Sequence, residues 1–288
     1  MKDSLYRLAQ FIIYSSLNVS VAACLFAAES FYLFELPIHS EFLAFVFLST
    51  ILTYSVHRYI GIRRLDKGQL KGRFAIEKKY RNAIGITAMM SIVLLSYLSL
   101  QLSFRTLGLF SLTGIICFLY VIPVMHKNKR IRDLPYIKII LIAFVWSFVA
   151  HIPVIELLID ELQVNHSIFG LSFIEKFIYI FLITLPFDVR DIELDKSTGV
   201  PTLPSYMGLE KSYRLIYFML AVDTVLLLSI GYLKEMNITA YAVLLFSLIF
   251  SLIALRLSKG KNSDIYYSGH LDGVIIVRSL FILLAFLV

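Results

Sequence analysis

Apolar stretches divide most of the chain, at about 10–34, 41–62, 83–103, 106–125, 134–157, 168–187, 212–233, 238–257 and 271–288. Most are close to 20 residues, and at 1.5 Å per residue that length crosses a hydrocarbon core of roughly 30 Å. The pattern predicts an all-α, polytopic membrane helix bundle with nine transmembrane helices, forming a single integral membrane domain over 1–288. Only Phe104 and Arg105 separate the third and fourth stretches, which implies a tight helical hairpin there. The first run, from near Leu8 to about Phe34, is longer than the roughly 7–15-residue core of a cleavable signal, so it is expected to be retained.

Between the apolar stretches the polar residues are unevenly shared. The longest polar segments are 63–82 and 188–211, with a shorter one at 126–133, and all three belong to even-numbered connections. Residues 63–82 alone hold eight Lys or Arg. By the positive-inside rule this asymmetry places the N-terminus and these three loops in the cytoplasm and the C-terminus outside. The expectation is a multi-pass protein of a cell membrane (the inner or plasma membrane, if bacterial), with any polar machinery gathered at the cytoplasmic face.

Composition agrees with this reading. The chain is 59% hydrophobic and 16% charged, against about 25% charged in ordinary soluble domains. The net charge of +7 does not imply a nucleic-acid partner, because the basic residues sit in short connections where lipid headgroups and orientation account for them. Cys24 and Cys117 lie inside apolar runs and are too few for a disulfide framework or a metal site. Glu29, Asp223, His151 and Arg278 fall within or near spans, where ionisable groups are costly and face an interior; structural pairing is the expectation for Glu29 and Asp223. Asp272 is expected to cap the last span.

The densest polar cluster is 188–204, Asp-Val-Arg-Asp-Ile-Glu-Leu-Asp-Lys-Ser-Thr-Gly-Val-Pro-Thr-Leu-Pro. If the preceding helix continues, Asp188, Asp191 and Asp195 share about one sixth of its circumference. Three carboxylates on one face repel unless a cation sits between them, and Mg²⁺ commonly bridges one or two carboxylates to a substrate's phosphates. Arg190 and Lys196 add positive charge for a diphosphate. Gly199, Pro201 and Pro204 are expected to end the helix and turn the chain back. The alternative is an ordinary solvated loop.

This segment resembles the second aspartate-rich motif of the UbiA superfamily of intramembrane prenyltransferases, an Asp-x-x-x-Asp core followed by a basic residue, a glycine and Thr-Leu. Here those are Asp191, Asp195, Lys196, Gly199, Thr202 and Leu203. A second similar region runs Tyr120, Pro123, Lys127, Arg130, Arg132, Pro135 and Lys138, a Tyr-x-x-Pro stretch leading into basic residues. The resemblance implies a nine-helix bundle in which an isoprenyl group moves from a prenyl diphosphate to a lipophilic, typically aromatic acceptor. It implies Asp191 and Asp195 as catalytic residues, Mg²⁺ on Asp188, Asp191 and Asp195, and Lys127, Arg130, Arg190 and Lys196 on the diphosphate. Tyr54, Tyr59 and Tyr120 are candidates to stabilise an allylic cation.

The family's first motif, Asn-Asp-x-x-Asp-x-x-x-Asp after the second helix, is not matched. The corresponding stretch is Tyr54 to Asp66, and aligning either Ser55 with the asparagine or Asp66 with the last aspartate restores no carboxylate pair. Arg58 and Arg63, with His57 and Arg64, stand there instead, and arginine forks suit phosphate oxygens. Two functions therefore compete with catalysis: an isoprenoid- or lipid-binding protein of the same fold, and a transporter.

Overall fold

The computed structural model describes residues 10–63, 73–124, 130–160, 162–261 and 266–288. Its elements are α1 (Leu17–Leu33), α2 (Ser40–Arg63), α3 (Arg73–Lys79), α4 (Arg81–Leu98), α5 (Phe104–Val121), α6 (Ile137–Ile159), α7 (His166–Arg190), α8 (Ile192–Thr198), α9 (Leu203–Leu233), α10 (Ile238–Ser258) and α11 (Asp272–Leu287). A 3₁₀ turn at Ile131–Asp133 precedes α6, and a π-helical turn at Tyr266–Leu271 runs into α11. Among the described residues, eight helical segments are long and apolar enough to cross a membrane. The ninth apolar helix, α1, has 17 residues and begins after a left-handed residue, Ser16.

The expected hairpin between the third and fourth spans differs in detail. Helix α4 stops at Leu98, and Phe104 and Arg105 lie inside α5. Ser103 sets this boundary, because its hydroxyl accepts the backbone N–H of Thr106 and satisfies one of the orphan donors of the helix start. Helix α9 starts earlier than its apolar run, at Leu203. A reciprocal Thr202/Ser205 capping box begins it, and Gly208 (φ 78°) kinks it before the membrane segment.

In sequence order around the bundle, α1 packs on α2, α5 on α6, α6 on α7, α7 on α9, α9 on α10, and α10 on α11, which returns to α1; α1 also touches α6 across the middle. Where the helices meet, side chains are small. Ala22, Ala143, Ser20, Ser147, Ser172, Ser212, Ser247 and Ser251 are fully buried. Lipid gives little hydrophobic drive for one helix to join another, so close backbone approach through Ala and Ser supplies the contact. Helices α1, α2, α4, α5 and α6 line a cavity of about 420 Å³.

Candidate active site

Asp188 is on the last turn of α7, Asp191 at the joint, and Asp195 in α8. The joint is a single non-helical residue, Asp191 (φ −90°, ψ 7°). The i to i−4 bonds persist across it, with Asp191 N–H to the Phe187 carbonyl at 3.1 Å and Asp195 N–H to the Asp191 carbonyl at 2.8 Å. The hydrogen-bonded helical path thus runs on through the joint that carries the three aspartates. The turn-back follows expectation. Gly199 takes a left-handed conformation (φ 68°), and Val200 N–H reaches back to the Asp195 carbonyl at 2.9 Å, a Schellman closure. The loop then docks on the start of α6 through Tyr136 N–H and the Pro201 carbonyl, 3.2 Å apart.

Each carboxylate has its own partner. Lys138 Nζ, on the first turn of α6, donates to Asp188 Oδ1 at 2.5 Å, and both side chains are largely buried. Arg190 forks onto Asp191, with Nε and Nη2 donating at 2.8 and 2.9 Å, while its guanidinium lies 4.8 Å from the centre of the Tyr267 ring. The Thr202 hydroxyl donates to the buried Asp195. Burial raises the Asp195 carboxyl above the ordinary carboxylate range, and the charges of Asp188 and Asp191 add to this against the opposing pull of Lys138 and Thr202.

Among the described residues, no three His, Cys, Asp or Glu side chains stand as a group able to hold a metal ion. Lys138 and Arg190 neutralise two of the carboxylates in advance and separate their charges. The donor set still suits Mg²⁺, which needs only one or two carboxylates when a substrate's phosphates supply the remaining oxygens.

Lys138 links this loop to the cavity. Besides Asp188 it faces Asp195, Arg132 and Tyr120. Arg132 Nη1 is 2.5 Å from His57 Nε2, and the Arg132 guanidinium lies 4.8 Å from the Tyr120 ring centre. Tyr120 and His57 line a smaller cavity of about 150 Å³, which shares Tyr54, Cys117, Val121 and Trp146 with the 420 Å³ one. The larger cavity is overwhelmingly apolar and is flanked deep in the bundle by Phe45 and Phe110, whose rings are 4.6 Å apart. A polar head thus meets an apolar hollow at Tyr120, with Arg132 and Lys138 between them.

Other sequence candidates are placed differently. Arg130 is taken up by Asp133, which it grips through Nε and Nη2 at 2.8–3.2 Å. Burial works to raise the Asp133 carboxyl, and those hydrogen bonds more than offset it, leaving it below the ordinary range. Lys196 is exposed on α8, and Tyr59 is not among the residues lining either cavity. Arg58 donates to the Tyr14 carbonyl and pairs with Glu77 of α3 at 3.8 Å. Lys127, Arg64, Asp66 and the Arg63 side chain lie outside the described residues.

Arg58 is therefore not a lone cation replacing the missing carboxylates. Asp272, expected as a cap, instead faces both Arg58 and Arg190. Arg58 thus has Glu77 as its ion-pair partner and Arg190 has Asp191, and the charge of Asp272 acts on both arginines. Glu77 went unnoticed in the sequence because it is a single acid among basic residues.

Comparison with known proteins gives the family and the fold. The model of the UbiA prenyltransferase family matches residues 77–265, well over half of the chain. Among solved structures, the apo form of a UbiA homologue from Aeropyrum pernix K1 is similar at 14% identity, with 93% of this chain and 96% of that one covered and a TM-score of 0.66. A UbiA homologue from Archaeoglobus fulgidus bound to DMAPP and Mg²⁺ is similar at 14% identity, 95% and 99% coverage and a TM-score of 0.60. A structure described for digeranylgeranylglyceryl phosphate synthase is similar at 17% identity, 98% and 97% coverage and a TM-score of 0.55. No curated protein sequence matches significantly. The family match, the like fold over nearly all of the chain, and apolar helices long enough to span make this a multi-pass integral membrane protein that belongs to the UbiA prenyltransferase family.

Proposed function

We propose that the protein transfers an isoprenyl group from a prenyl diphosphate to a lipophilic acceptor. One observation carries this reading above the rest. The apolar cavity ends at Tyr120, and there Arg132 and Lys138 connect it to Asp188 and Asp195. A molecule with a phosphate head and a hydrocarbon tail has the same division. The A. fulgidus homologue's complexes with DMAPP or GPP and Mg²⁺ support the substrate class.

In this proposal the prenyl tail lies between α2, α5 and α6, and its diphosphate meets Arg132 and Lys138. Mg²⁺, if held by Asp188, Asp191 and Asp195, would supply charge neutralisation to the leaving diphosphate. The allylic C1–O bond breaks with its electron pair leaving on the diphosphate. An electron pair of the acceptor forms the new bond to C1, and the acceptor's proton passes to water. Tyr54 and Tyr120 line the cavity end where positive charge develops, and their rings are suited to cation–π stabilisation. The same reading puts the aspartate loop on the cytoplasmic side, following the charge asymmetry of the connections.

The test is diphosphate release by the chain in lipid nanodiscs, given prenyl diphosphates of several lengths, Mg²⁺ and a panel of aromatic and lipid acceptors. Asp191→Asn and Asp195→Asn should each lower release by about 100-fold or more, since even outer-sphere partners of a metal cost 10–100-fold. A second reading, isoprenoid binding without turnover, is favoured by the compensated Arg58 in place of the first carboxylate set. Mg²⁺-dependent binding with no release for any acceptor would select it and refute the enzyme.

A further inference from the structure

A second charged cluster lies inside the bundle, far from the aspartate loop. Glu175 is 13 residues from Asp188 on the same helix, about 20 Å along its axis. The cluster joins Glu29 of α1, Glu175 and Lys176 of α7, Asp223 of α9 and Arg278 of α11, all at most 2% exposed. Lys176 pairs with Glu29, and Arg278 Nη2 with Glu175. The Arg278 guanidinium also stacks 3.7 Å from the centre of the Tyr179 ring.

The charges do not balance. Three carboxylates face two cations, and a further titratable side chain near Lys176 has both ring nitrogens hydrogen-bonded. That side chain is His151 of α6, whose Nδ1–H donates to the Ser147 carbonyl at 2.8 Å, while Nε2 is 2.9 Å from the Ser172 hydroxyl. Tyr179, the remaining titratable neighbour, meets Ser251 of α10 at 3.3 Å. Asp223 is the carboxyl without a donor. Neither of its oxygens has a hydrogen-bond partner, it is 0% exposed, and Arg278 Nη2 stays 3.6 Å away. What Asp223 does face is the carboxyl of Glu175. Two adjacent carboxyl groups are relieved by a cation or by a shared proton, and Arg278 Nη2, already bonded to Glu175, comes no nearer to Asp223 than 3.6 Å. An ionised carboxylate buried without a donor is among the costliest groups a fold can hold, and the neutral acid removes most of that cost.

We propose that this cluster is an occluded proton-binding site, in which Asp223 is carried as the neutral acid and donates its proton to Glu175. The bound proton brings three carboxyls and two cations to zero net charge and ties α1, α7, α9 and α11 together within the membrane. This inference stands apart from the prenyl-transfer reading.

Infrared spectroscopy of the chain in nanodiscs tests it. At neutral pH the unaltered protein should show the carbonyl stretch of a neutral carboxylic acid, displaced by ¹³C-labelled aspartate. Asp223→Asn should remove that band and lower the melting temperature by no more than about 4 °C, because the amide can donate to Glu175 as the acid does. Glu175→Gln, which takes the charged partner from Arg278, should lower it further. Asp272→Asn, at the other end of α11, should keep the Asp223 band. A spectrum without a neutral aspartic acid would overturn the proposal, as would a band that survives Asp223→Asn. So would a melting temperature of the unaltered chain that depends on sodium or potassium at constant ionic strength, which would assign the site to an alkali cation.

Discussion

Replacing Lys138 by methionine tests how the aspartate loop is held before substrate arrives. The ammonium is 2.5 Å from Asp188 Oδ1, and the two side chains are 15% and 5% exposed. Methionine keeps the length and apolar contact of the stem but leaves a nearly buried carboxylate without its cation. Removing one partner of a buried pair costs about 3–5 kcal/mol, against less than about 1 kcal/mol for an exposed one. With the residual exposure of Lys138, about 3 kcal/mol is expected, or a fall in melting temperature of roughly 6–12 °C. The assay is thermal unfolding followed by circular dichroism in chelator, repeated in saturating Mg²⁺. Lys138 competes with a metal for Asp188, so Mg²⁺ should stabilise Lys138→Met more than the unaltered chain. At a hundred times its dissociation constant, the ion returns about 2.7 kcal/mol. Equal melting temperatures in chelator would refute the buried-pair argument, and equal Mg²⁺ gains would refute the competition. Catalytic release should fall in either case, because Lys138 also stands beside the proposed diphosphate.

Two further outcomes follow from the same loop. Gly199 is left-handed with open space around its Cβ position, so Gly199→Ala should cost about 1 kcal/mol from backbone conformation alone and Gly199→Asn less, measured by thermal unfolding. The Asp195 carboxyl titrates above its ordinary 3.8 in the folded protein. The fold binds the proton more tightly than the unfolded chain, so this group's favourable contribution is full below 3.8 and is lost as pH rises through the raised value. Mg²⁺ competes with that proton and should bind more tightly as pH rises across the same window, a dependence that Asp195→Asn abolishes in a calorimetric titration.

Much of the site's local form was legible in the sequence. The 3–4 spacing of Asp188, Asp191 and Asp195 fixes their shared face once a helix runs through them. Gly199, Pro201 and Pro204 specify the stop and the turn-back, because a left-handed glycine cap and prolines end a helix locally. The apolar run lengths likewise determine the spans, since backbone groups in lipid must be paired within each helix. Boundaries were less legible where a polar side chain rather than the end of an apolar run sets them, as at Ser103 and Thr202.

Partner choice was not in the sequence. Lys138 reads as a residue that could reach for the membrane surface, yet it closes on Asp188, 50 residues away in the chain. Arg58 and Arg130 read as phosphate ligands, and Glu77 and Asp133 engage them first. Asp272 reads as a cap and instead faces Arg58 and Arg190. The same holds for Glu29, Glu175, Lys176, Asp223 and Arg278, whose charge imbalance exists only once four helices bring them together. Hydropathy and spacing act over neighbouring residues, so the sequence determines helices, caps and faces by itself. A buried charge is stabilised only by another charge or a donor within a few ångströms, and for these residues the tertiary structure alone decides which one that is.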